Sequence, residues 1–104
     1  MLVTTGRRSG EPREVTLWFA VAQGRIVMLA GGGRGSGWVR NLEAEPRVVL
    51  RAGGTTIAGR ARIVEGETED PLVREAIAAK YGTTGLRTWL RTALPVVVEP
   101  DPEG

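Results

Sequence analysis

The chain has 104 residues, with 14 Lys plus Arg against 12 Asp plus Glu, and contains neither His nor Cys. That length holds one modest core, and the missing residues exclude a Ser-His-Asp triad, a Cys nucleophile with a His base, disulfides and an ordinary zinc site. A net charge of +2 is too weak a field for a nucleic-acid surface, and no apolar run reaches the roughly 20 residues that span a bilayer, so a cytoplasmic protein is expected.

Leu2 to Thr5 reads as a short strand. Gly6-Arg7-Arg8-Ser9-Gly10-Glu11-Pro12 is a turn, punctuated by Gly and Pro. Arg13 to Ala22 alternates, with Val15, Leu17, Phe19 and Val21 on one face and Thr16, Trp18 and Ala20 on the other. The period of two predicts one continuous strand, apolar on both sides, whose outer face needs cover from a helix, a cofactor or a second subunit. Gln23-Gly24 predicts a hairpin turn and Arg25 to Leu29 its partner strand.

Five glycines follow within Gly31 to Gly37. A backbone without side chains lets a ligand approach closely. Ser36 is placed to cap a short helix over Trp38 to Ala44, whose N-terminus favours an anion, and Pro46 ends it. This segment predicts a pocket for a planar, phosphorylated ligand, although it fits neither the Walker nor the dinucleotide fingerprint. Arg47 to Arg51 and Thr55 to Val64 read as strands, with Gly59 marking a bulge or bend. Asp70-Pro71 predicts a helix start, with Asp as cap and Pro first, and Gly82 the stop after Tyr81. Leu86 to Arg91 reads as a short helical turn, Pro95 to Glu99 as a last strand, and Asp101 to Gly104 as a polar tail. The expected fold is one domain over residues 1–100, a mostly β barrel of about six antiparallel strands, with a short helix after the glycines and a longer one near 70–81.

Few groups remain for acid–base chemistry near neutral pH: Lys80 is the only Lys and Tyr81 the only Tyr. An enzyme built from this inventory takes its reactive group from a cofactor. Thirteen of the fourteen cations are Arg, which suits phosphates and carboxylates, and Arg7, Arg8, Arg13 and Arg34 fall in or beside the turn and the glycine segment.

Several segments, in order, resemble the deazaflavin-dependent nitroreductase family of the split β-barrel flavin-binding group. They are Thr4-Thr5-Gly6-Arg7-Arg8-Ser9-Gly10-Glu11-Pro12-Arg13, Thr16-Leu17-Trp18-Phe19, Trp38-Val39-Arg40-Asn41-Leu42-Glu43-Ala44-Glu45-Pro46-Arg47-Val48, and Leu94-Pro95-Val96-Val97-Val98-Glu99-Pro100. The resemblance implies coenzyme F420, a deazaflavin with a phosphate and an oligoglutamate tail, and a hydride transfer to a quinone, nitroaromatic or activated alkene. It implies that Arg7, Arg8, Ser9 and Arg13 hold the tail or phosphate, that Leu29, Ala30, Gly31 and Gly32 lie along the ring, and that Trp38 and Asn41 sit at the cofactor. Trp18 and Tyr81 are implied on the substrate side. Arg34 would stand in for a Lys that relatives carry in a longer loop, and the chain opens on the first strand without the N-terminal helix of some relatives. The alternatives are an FMN- or FAD-binding reductase, a non-catalytic F420 carrier, and a structural barrel that binds nothing. A homodimer covering the Trp18 strand is expected.

Overall fold

The computed structural model describes residues 1–66 and 68–102. Seven strands form one antiparallel sheet: β1 (Leu2–Thr5), β2 (Pro12–Val15), β3 (Phe19–Ala22), β4 (Arg25–Ala30), β5 (Arg47–Ala52), β6 (Thr55–Ile63) and β7 (Leu94–Pro100). Among the described residues three α-helices accompany it: α1 (Gly37–Ala44), α2 (Glu69–Tyr81) and α3 (Arg87–Thr92).

The strand order is β2-β1-β5-β6-β7-β4-β3, so β2 and β3, consecutive in the chain, lie at opposite edges. Six strand spacings in a flat sheet separate its edges by about 29 Å. The three-residue link Thr16–Trp18 spans at most about 14 Å from Val15 to Phe19. The link therefore requires the sheet to curl until its edges approach each other, and the result is a split β-barrel closed by Thr16, Leu17 and Trp18. The single strand expected over Arg13 to Ala22 is thus two strands with a break. Side-chain alternation survives the break: Val15, Leu17 and Phe19 all pack against the inner core, while Ala20 faces the opposite way. That persistence is why the sequence pattern hides it.

β4 is apolar on both faces for a physical reason. Ile26 and Met28 point into the barrel with Leu2, Leu50, Val96 and Val98, while Val27 and Leu29 point outward with Val97 beneath Val73 and Ile77 of α2. Of the covers expected for the Arg13 to Ala22 segment, a helix, a cofactor or a second subunit, it is a helix that covers this outer face: Ala20 and Ala22 of β3 pack in the same cluster as α2 and α3. Val21, at the β3 edge, stays 67% exposed. Leu42 of α1 enters the inner core and ties that helix to the barrel.

Four local expectations need correction. Gly59 marks no bulge, because the register of β6 with both β5 and β7 runs without a break; a Cβ there would lie 2.5 Å from the Glu99 carbonyl oxygen, so Gly is required by close strand approach. α2 begins at Glu69 after Thr68, not at an Asp70 cap. Asp70 instead accepts from Arg74 Nε at 2.6 Å one turn on, and Ser36 precedes α1 without a side-chain capping bond. The first turn of α2 is seated by charge: Arg62 donates to both oxygens of Glu69, Arg25 reaches Glu69 and Glu99, and Arg62 also meets Glu99. The Arg62 hydrogen bonds hold the Glu69 carboxyl below the usual carboxylate range. Asp101 is no free tail residue, since it forms a two-point pair with Arg47 at 2.9 and 2.7 Å; Glu103 and Gly104 of the expected tail lie outside the described residues.

Candidate functional site

The turn between β1 and β2 is built by its backbone. Gly6 N–H donates to Glu11 O at 2.7 Å, Gly10 N–H donates to Gly6 O at 2.8 Å, and Gly10 adopts φ +74°. A Cβ on Gly6 would meet Ser9 Oγ at 2.9 Å and Glu11 O at 3.1 Å, so the turn closes only with glycine there. The closure exposes Arg7, Arg8, Ser9 and Arg13. These four, with Gly6, Thr4, Glu14, Val15, Gly37, Trp38 and Asn41, line a cleft of about 330 Å³ between the turn and the start of α1.

Carboxylates do not cancel the charges in this cleft; among the described residues Arg40, Arg60, Arg87 and Arg91 share that state, but only here do three such arginines line one concavity. Arg25, Arg34, Arg47, Arg51, Arg62 and Arg74 each pair with a carboxylate. Among the described residues Arg7, Arg8 and Arg13 have no carboxylate partner. Glu14, the acid nearest them on β2, is engaged by Arg51 at 3.2 Å. Three uncancelled guanidinium groups around one concavity favour a multivalent anion.

A second cleft, about 380 Å³, is lined by Thr16, Leu17, Trp18, Leu29, Gly31, Leu86 and Trp89. Trp18, 47% exposed, stacks on Tyr81 with ring centroids 4.4 Å apart and meets Trp89 edge-on at 5.8 Å. The stack is anchored through the next residue. The Tyr81 hydroxyl donates to Phe19 O at 2.9 Å and accepts from Phe19 N–H at 3.2 Å, and Lys80 Nζ donates to the same carbonyl at 2.8 Å. The C-terminal end of α2 thereby fixes the barrel-closing link. A Cβ on Gly31 would touch Trp89 Cδ1 at 3.4 Å, so the glycine leaves the indole edge open to the cleft.

The clefts are neighbours along the chain on two sides. Val15 lines the first and Thr16 the second; Gly31 lines the second and Gly37 the first. The glycine segment, with a single 3-10 turn at Gly33–Gly35 and Gly33 at φ +60°, runs from one to the other.

Of the residues singled out from sequence, Arg7, Arg8, Ser9, Arg13, Trp38 and Asn41 share the first cleft, and Trp18, Leu29 and Gly31 the second. Ala30 is 1% exposed and pairs with Leu94 in the sheet, so only its backbone can serve a ligand. Gly32 lies at the start of the 3-10 turn and Tyr81 beneath Trp18, neither on a cleft wall. Arg34 is not with the other arginines: Glu43 at 3.2 Å and Glu65 at 2.7 Å hold its guanidinium. Thr4, Thr16, Leu17, Leu86 and Trp89 line the clefts without having been singled out for a site role. Trp89 carried one signal, as the one Trp left without a role.

Residues 1–101 match the family model described as F420H(2)-dependent quinone reductase. Among solved structures, one titled F420-H2 Dependent Reductase (FDR-A) is 27% identical, with TM-score 0.70, covering 96% of this chain and 90% of its own. A conserved hypothetical protein from Mycobacterium tuberculosis is 25% identical, with TM-score 0.74, covering 97% and 71%. A chain described as a domain-swapped dimer is 26% identical, with TM-score 0.75, covering 94% and 77%.

Proposed function

The chain belongs to the F420H(2)-dependent quinone reductase family, and from that premise we propose that it seats reduced coenzyme F420 across its two adjoining clefts and reduces a quinone there. Its residues fit the group. F420 is planar at one end and anionic at the other, and the chain offers an aromatic cleft at one end of a glycine segment and three carboxylate-free arginines at the other. The observation that carries the reading is that adjacency.

When bound, F420 supplies the hydride. The chain supplies position. Arg7, Arg8, Arg13 and Ser9 bind the phosphate and the carboxylates of the tail. Gly31 and the Leu29–Ala30 backbone offer a wall without side-chain bulk along the ring, and Trp38 closes the anion cleft on its apolar side. Trp18, braced by Tyr81 and Trp89, gives a flat acceptor a face to stack on and excludes water from that side. Tyr81 does not serve as an acid in this arrangement, because its hydroxyl proton is engaged by the Phe19 carbonyl. The proton that a reduced quinone requires comes from water. No helix of the described residues is long and apolar enough to cross a membrane.

A homodimer belongs to the same reading. It is supported by the domain-swapped relative and by the exposed β3 edge at Val21. Sedimentation velocity with absorbance detection at the cofactor band tests both parts together. F420 is expected to co-sediment with a particle of twice the chain mass, and FMN and FAD to remain with the solvent. FMN or FAD sedimenting in its place refutes the cofactor assignment, and a particle of single-chain mass refutes the dimer.

A further inference from the structure

Asn41 is the only Asn in the chain. It lies inside α1, where Asn is a poor helix former, and it is 6% exposed. Its amide makes contacts in two directions. The Oδ1 accepts from the Arg7 backbone N–H at 3.3 Å and from Arg7 Nη1 at 2.8 Å. The Nδ2 donates to Thr4 Oγ1 at 3.2 Å, and the Thr4 hydroxyl, 1% exposed, donates onward to the Arg13 carbonyl at 3.5 Å. One side chain on α1 thus fixes the backbone of the arginine turn and the head of one arginine at once.

The chemistry of the acceptor is informative. Six other arginines are held by carboxylates, which orient a guanidinium and cancel its charge together. A neutral amide oxygen orients without cancelling. We propose that Asn41 is the positioning residue of the arginine cleft: it aims Arg7 while leaving the full charge of Arg7 to an anionic ligand, and thereby sets the affinity of the cleft for phosphate and carboxylate groups. The proposal rests on the reading of this cleft as the anion seat. It replaces a direct contact between Asn41 and the cofactor, since Oδ1 already carries two hydrogen bonds from one residue.

Asn41→Asp separates aiming from charge. The carboxylate is the same shape, keeps both bonds to Arg7, and is ionised beside a guanidinium; the Thr4 hydroxyl can rotate to donate to it. The variant is expected to melt no lower than the parent and to bind F420 about tenfold more weakly or worse at low salt, with the gap closing as salt screens the lost charge. Asn41→Ala keeps the charge but loses the aim; its affinity is expected to fall while its salt dependence stays as steep as the parent's. Arg8→Ala is measured alongside. If Asn41→Asp binds at full strength while Arg8→Ala binds weakly, the anion seat stands and the positioning role is wrong. If both bind at full strength, the seat itself is wrong. Asn41→Asp that fails to fold, or equal salt dependence in the two Asn41 variants, overturns the proposal by showing the amide to be a structural bond only.

Discussion

Replacing Arg8 and Arg13 together by Ala is expected to weaken F420 binding about a hundredfold at low ionic strength while leaving the melting temperature unchanged. Both side chains are exposed, and among the described residues neither meets a carboxylate, so the fold loses no ion pair when they go. Hydrogen bonds to charged groups contribute about 1.5–3 kcal/mol each, and every 1.4 kcal/mol is about a factor of ten. Two such contacts at the low end, reduced by solvent screening, give the stated loss. Salt supplies the internal control: the Debye length shrinks from about 10 Å at 0.1 M to about 3 Å at 1 M. Parent affinity should therefore fall with salt more steeply than that of the double variant. Calorimetric titration at two ionic strengths reads both numbers, and parallel salt dependences would remove the arginines from the anion site.

Ile77→Ala is expected to cost about 3 kcal/mol, within the 2–5 kcal/mol typical of emptying a buried aliphatic site. Ile77 is fully buried between α2 and the outer sheet face made by Val27, Leu29 and Val97. For a domain of this size that loss lowers the melting temperature by roughly 12–24 °C. The effect reaches beyond stability. Three and four residues on, Lys80 and Tyr81 hold the Phe19 backbone and hence the link that carries Trp18. Loosened packing of α2 is expected to expose Trp18 and red-shift the tryptophan emission below the melting transition. Leu72→Ala on the same helix, 38% exposed, is the comparison and should shift stability by less than about 0.5 kcal/mol. Equal melting temperatures for the two variants would show that α2 is not packed as described.

Much of this molecule can be read from local pattern. β1, β4, β5, β7 and α2 follow from alternation, helical spacing and the Gly82 stop, because each buries a face that its own residues declare. The arginine turn stands out because its residue types suit an anion, and Trp38 and Asn41 through the resemblance of their segment; all of them line one cleft. What stayed hidden depends on partners far along the chain. The break at Thr16–Trp18 is forced by closure of a sheet whose edge strands are set by pairings elsewhere. The ion pair of Arg34 with Glu65, 31 residues away, has no local signature. The hydrogen bond of Asn41 to Arg7, 34 residues away, has no local signature either. Trp89 sits on a helix of six residues, too short to show a period.

On the proposed function, the chain contributes a seat and borrows its redox group. Reoxidation of reduced F420 by a soluble quinone, followed without oxygen and compared with reduced FMN and a reduced nicotinamide as donors, tests it most directly. Rapid protein-dependent turnover is expected with reduced F420 alone, falling in step with affinity in the Arg8 and Arg13 variants. Turnover with FMN or nicotinamide, or none with F420 at saturating concentration, would contradict it.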